Sequence, residues 1–132
     1  MKYIPQAAPF VLIDELLATD ETQTTCRFTI RPDNIFIDEN NCFAAAGLVE
    51  NMAQTAAAGT GFKAVHEHTA PPVGFIGQIK NLTISKLPAV GDTIETTITN
   101  QNQVMHVFMV LAEVRLNQAI IAQAEYKIFL QQ

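Results

Sequence analysis

Glu50 is the residue on which chemistry is most readily built. It is the one carboxylate between Glu39 and Glu67, and it stands inside an alanine-rich, apolar run. Removing a lone carboxylate from water is costly, so such a residue is solvated, partnered or functional. Held in a desolvated pocket, a carboxylic acid can act as a general acid at neutral pH. Gln54 lies one helical turn later and projects from the same face, where its amide can orient the carboxyl group. The competing reading is a wet helix edge shared by Glu50, Asn51 and Gln54.

The other chemically capable residues form no comparable cluster. His66 and His68 follow Glu50 by sixteen residues or more, ~24 Å along a helix at ~1.5 Å per residue. The pair His66-Glu67-His68 reads as a solvated turn, and His106, among Val104, Phe108 and Val110, as a core or interface histidine. No metal site and no cofactor are expected. Ser85, the single serine, has no nucleophile-elbow context, and Cys42 caps or lines a pocket without being activated. Gly74 and Gly77 bracket Phe75-Ile76 at a strand start. Their backbone N–H groups either bind a carbonyl oxygen or permit close packing on a helix.

The elements that position these residues follow from periodicity. Pro5 and Pro9 impose an irregular lead-in, and Val11 to Ala18 reads as a strand. Thr24, Cys26, Phe28 and Ile30 then alternate with polar residues, which completes a hairpin. A polar loop over 31–42 leads to one long helix from Cys42 to about Val65, with Asn40 or Asn41 as its cap. Gly47, Gly59 and Gly61 each cost about 1 kcal/mol relative to alanine in a helix, so close approach of other backbone is expected there. Val73 to Leu87 is the next strand. Thr93 to Leu116 reads as a hairpin bending near Asn100–Gln103. Ala119 to Leu130 comes last, with Ile120, Ala122, Ala124, Tyr126, Ile128 and Leu130 on one face. The order is α+β: one central, buried helix and a five- to six-stranded antiparallel sheet in a single domain, 1–132.

Composition narrows the class. The chain has 132 residues, 48% hydrophobic and only 16% charged, against roughly 25% charged in an average domain. A surface so poor in charge implies a homo-oligomer. The net charge of −5 and the absence of basic runs argue against nucleic acid. No stretch is clean enough for a membrane span, and two cysteines without ligand spacing point to a reducing cytoplasm.

Three motifs resemble the hotdog-fold β-hydroxyacyl-(acyl carrier protein) dehydratases. Pro5-Gln6-Ala7-Ala8-Pro9-Phe10-Val11-Leu12-Ile13-Asp14 looks like that family's Pro-His-x-x-Pro-Phe-x-x-x-Asp entry. Glu50-Asn51-Met52-Ala53-Gln54 is similar to Glu-Ala-Met-Ala-Gln, and Gly91-Asp92 to the Pro-Gly-Asp turn with Val90 in place of proline. Gly74-Phe75-Ile76 and the first motif look closest to the small dehydratase-like proteins of aryl-polyene pathways. The resemblance implies a hotdog fold and a homodimer or higher assembly with acyl tunnels along the subunit interface. It further implies an acyl-carrier-protein or acyl-CoA thioester as substrate, Glu50 as the catalytic carboxylate, and substrate contacts from Gln54 and from amides near Asn41 and Gly77. The family's catalytic histidine precedes the helix; the loop from Arg31 to Phe43 has none, and the first motif carries Gln6 instead. An amide is no base. The chain is therefore expected to work with a substitute base or beside a catalytic hotdog partner subunit in fatty-acid or polyene-type biosynthesis. The alternatives are a hotdog thioesterase, in which Glu50 activates water or attacks directly, and a non-catalytic acyl-binding subunit.

Overall fold

The computed structural model describes residues 1–131. Its elements are β1 (Glu15–Thr19), β2 (Gln23–Thr29), α1 (Ala45–His66), β3 (Gly74–Ile84), β4 (Thr93–Val104), β5 (Val107–Leu116) and β6 (Ala119–Leu130). The strands form one antiparallel sheet in the order β1-β2-β4-β5-β6-β3. One helix against six antiparallel strands is the expected architecture.

Alternation builds the core. Cys26 and Phe28 of β2, Ile94, Thr96 and Ile98 of β4, Val110, Ala112 and Val114 of β5, and Ala122, Ala124 and Tyr126 of β6 are all buried. Leu48 and Met52 of α1, with Leu12 and Phe43 from the flanking segments, join them at 0% exposure. Burying each of these large side chains contributes roughly 1.5–3 kcal/mol.

Several expected details are displaced, each for a local reason. The helix starts at Ala45 rather than Cys42, and neither Asn40 nor Asn41 caps it: Ala44 occupies that position without a side-chain hydrogen bond. The preceding turn is built instead by Asp38, whose carboxylate accepts from the Asn40 and Cys42 amides. Asn41 adopts a left-handed φ of 58° within it. Residues 11–14 are not strand. Leu12 and Ile13 are buried there in a strap bonded to Asn51 and Gln54 of α1, and β1 begins only at Glu15. The β4–β5 hairpin turns at Met105-His106, beyond the expected bend, with Met105 at φ 56°. The Asn100–Asn102 stretch is a register irregularity inside the ladder. In β6, a register shift opposite Val114 and Arg115 exchanges two neighbours, so Ile121 is buried and Ile120 is 42% exposed.

Close backbone approach to the helix occurs at one glycine. A β-carbon on Gly61 would overlap the Tyr3 carbonyl, whereas Gly47 faces the Phe43 ring and Gly59 the Thr24 side chain. Strand β3 lies at the sheet edge, and its residues Gly74 to Thr83 are all exposed, Phe75 (56%) and Ile79 (37%) among them. An exposed apolar edge is a template for pairing with another chain.

This packing sets the cost of substitution at two glycines. Gly61→Ala forces the lead-in away from the helix and destabilises the protein by ~2 kcal/mol or more. At Gly74 an added methyl finds its nearest neighbour, Leu130, at 3.4 Å. Gly74→Ala therefore stays within about 0.5 kcal/mol of wild type in denaturant unfolding.

Burial pushes Cys26 up from 9.0 to about 12 despite a hydrogen bond with Thr55. Burial, reinforced by the charge of Glu50, also raises the Tyr126 phenol. Both groups stay neutral in the fold but ionise more readily in the unfolded chain. Their stabilisation is complete below pH 9.0 and is lost as pH rises towards about 12. Alkaline unfolding curves should show that decline, and Cys26→Ala should flatten it. At neutral pH a thiol reagent should modify half-buried Cys42 and spare Cys26 until the protein unfolds.

Candidate functional site

The helix segment around Glu50 is held by amide side chains rather than wetted by them. Asn51 and Gln54 are each 1% exposed, which rules out the competing reading of a wet helix edge; Glu50 itself is half-buried. Asn51 Nδ2 donates to the Leu12 carbonyl at 2.8 Å, and its Oδ1 accepts from the Thr96 hydroxyl at 2.6 Å. Gln54 Oε1 accepts from the Leu12 amide at 2.8 Å. Its Nε2 donates both to the Phe10 carbonyl at 2.8 Å and to Glu50 Oε1 at 3.1 Å. The two amides replace the sheet partners that residues 10–12 would otherwise need, which explains why this strap forgoes the β1 ladder. Gln54 thus brings the carboxyl group of Glu50 to a fixed position beside the strap.

Tyr126 supplies the other side. Its hydroxyl donates to the Val49 carbonyl at 2.8 Å, one residue before Glu50, with the ring fully buried from β6. Sequence reading placed Tyr126 on the inner sheet face without a role. The signal was the phenol itself, because a tyrosine on a buried strand face requires a partner for its hydroxyl.

The remaining expected residues lie elsewhere. Gly77 is the bulged position of β3 between Ile76 and Gln78, packed beneath the Phe129 ring. Asn41 spends its amide on the Asp38 carbonyl at 3.1 Å, and its own carbonyl accepts from Val90 at 2.9 Å. Neither hydrogen-bonds to Glu50 or Gln54. His66 stacks on Phe62 in the last turn of α1. His68 follows the helix, and His106 sits in the β4–β5 turn, its carbonyl accepting from the Leu130 amide. The His66 ring nitrogen Nδ1 is bonded to the Phe62 carbonyl at 3.0 Å. Gln6, which stands in place of the motif histidine, has a buried Oε1 without a partner.

Chemically, the site offers a carboxyl group oriented by an amide donor, and the loop before its helix, Arg31 to Phe43, carries no histidine. Among the described residues there is no group of three metal-ligating side chains and no helix long and apolar enough to cross a membrane. A groove of about 700 Å³ opens under the second half of α1. Glu50 does not line it.

Comparison with known proteins places this architecture. The chain is similar to a solved structure titled as the dehydratase heterocomplex ApeI:P from Xenorhabdus doucetiae. The TM-score is 0.90 at 15% identity, covering 99% of this chain and 90% of that one. It also resembles the uncharacterised protein PH1136 from Pyrococcus horikoshii, with a TM-score of 0.76 at 11% identity and coverage of 100% and 93%. A third neighbour is smu.793 from Streptococcus mutans UA159, solved bound to acetyl CoA. Its TM-score is 0.74 at 11% identity, covering 98% of this chain and 96% of that one. No curated protein matches. The profile of the ApeP-like family, described as ApeP dehydratase, matches residues 1–132. With its single helix on a six-stranded antiparallel sheet, the chain belongs to the ApeP-like dehydratase family of hotdog-fold proteins.

Proposed function

We propose that this protein is the carboxylate-bearing subunit of a dehydratase acting on 3-hydroxyacyl thioesters of acyl carrier protein or coenzyme A. The observation that carries this reading is Glu50, held by the buried Gln54 amide on a helix whose preceding loop, Arg31 to Phe43, has no histidine. A base from a second hotdog subunit removes the C2 proton. The C3–O bond breaks, and the Glu50 carboxylic acid gives its proton to the departing hydroxyl, which leaves as water. Backbone amides facing the thioester carbonyl stabilise the enolate that develops.

The subunit arrangement follows from β3. Its exposed apolar edge pairs with a second hotdog chain, another copy or a histidine-bearing relative, and that chain covers the half-buried carboxyl group. The ApeI:P neighbour is by its title a heterocomplex, and smu.793 was solved with acetyl CoA; both support a thioester-handling assembly. Two free cysteines are in keeping with a cytoplasmic setting.

The test offers a 3-hydroxyacyl-carrier-protein substrate to the purified chain, alone and with a histidine-bearing hotdog dehydratase subunit. Enoyl product is expected from the complex and not from the chain alone. Glu50→Gln should lower turnover about a thousandfold. Turnover unchanged by Glu50→Gln overturns the proposal, and free thiol release from an acyl-CoA would instead indicate a thioesterase. Gln54→Leu leaves the Leu12 amide and the Phe10 carbonyl unpaired. It should cost ~2–4 kcal/mol in denaturant unfolding and reduce turnover as well.

A further inference from the structure

Helix α1 is fastened at two consecutive places, and Glu50 stands between them in sequence. After it, Asn51 and Gln54 bond to Leu12 and Phe10 of the strap. Before it, the Tyr126 hydroxyl donates to the Val49 carbonyl at 2.8 Å. The helix packs against β2, β4 and β5, and the long side chain of Tyr126 reaches it from β6. An α-helical carbonyl already accepts from the amide four residues further on. The phenol is thus an additional donor to Val49, one that the helix does not need for its own hydrogen bonding.

The place of Tyr126 in the sheet gives that bond a purpose. Tyr126 is 1% exposed, whereas its cross-strand partner Ile79 on β3, which shares its face of the sheet, is 37% exposed. Tyr126 therefore marks the boundary between the covered inner face and the uncovered one. Burial, and after it the charge of Glu50, raises the phenol above its ordinary range, so the hydroxyl keeps its proton and remains a donor. We propose that Tyr126 is a positioning residue for Glu50, holding through the Val49 carbonyl the turn from which the carboxyl group reaches the C3 hydroxyl. Val49 and Asn51 then fix the backbone on either side of Glu50, and Gln54 fixes the carboxyl group itself. Proton delivery needs donor and acceptor at hydrogen-bond distance, and a displacement of about 1 Å can cost ~100-fold in rate. This inference rests on the dehydratase reading for what Glu50 does, and not for how it is held.

Tyr126→Phe keeps the ring and removes only the hydroxyl. In the complex with a histidine-bearing dehydratase subunit it should lower kcat on a 3-hydroxyacyl-carrier-protein about 10- to 100-fold and leave KM within about twofold. In a Glu50→Gln background the same change should matter less than about twofold, because groups that act as a unit are not additive. Replacing Tyr126 by p-aminophenylalanine, which keeps a donor in place, should restore most of the rate. A readout without turnover comes from the full-length chain labelled with 13C at the glutamate side-chain carboxyl groups. The Glu50 resonance, assigned by its loss in Glu50→Gln, should move in Tyr126→Phe while the other glutamate resonances stay. An unmoved Glu50 resonance, an unchanged kcat, or an equal loss in both backgrounds overturns the inference. A moved resonance in a wild-type complex that makes no enoyl product would keep the tie and remove the dehydratase reading. Turnover indifferent to Tyr126→Phe would do the opposite.

Discussion

A single buried amide sets the geometry on which the rest depends. Gln54 is 1% exposed, so each of its polar atoms must find a partner inside the protein. It finds three: the Leu12 amide, the Phe10 carbonyl and the Glu50 carboxylate. With Asn51 bonded to the Leu12 carbonyl and the Thr96 hydroxyl, these contacts join lead-in strap, helix and sheet in one network. In a low-dielectric interior such a network is strong when complete and costly when broken. The carboxyl group therefore inherits a fixed orientation from contacts that the fold itself requires.

That arrangement leaves apolar surface on β3 and a half-buried carboxyl group exposed to solvent in the single chain. The helix meets the sheet with one face, while its alanine strip around Ala53 and Ala56 remains half-buried. Strand β3 carries apolar residues that its one neighbour, β6, does not cover. Under the proposed function, a second chain pairing with β3 would cover both the apolar edge and the half-buried carboxyl group. Under the same reading, that chain would also bring the histidine that the loop from Arg31 to Phe43 lacks.

Much of the fold was legible because β2, β4 and β5 alternate cleanly and the helix is marked by its alanines. The errors fall where backbone geometry departs from residue type. Met105 turns the β4–β5 hairpin in a left-handed conformation that methionine does not advertise, while the Asn-rich stretch before it, a better turn signal, is spent on a bulge. The register shift opposite Val114 reverses the parity of β6 at Ile121, and a period-2 reading cannot see a bulge. At the site, Glu50 and Gln54 were recognisable as a pair one turn apart. Asn51 looked solvated because a helix with polar residues on consecutive turns normally wets them. Its burial depends on the strap at Leu12, a contact 39 residues away in sequence that no local pattern encodes. Tyr126 was hidden for the same reason, its partner lying 77 residues away.

The most direct measurement is a structure of the assembled complex with a non-reactive 3-hydroxyacyl thioester analogue bound. It should show Glu50, still tethered to Gln54, hydrogen-bonded to the C3 oxygen in a water-excluding pocket, with a histidine of the second subunit facing C2. An analogue seated elsewhere while Glu50 faces open solvent would contradict the account.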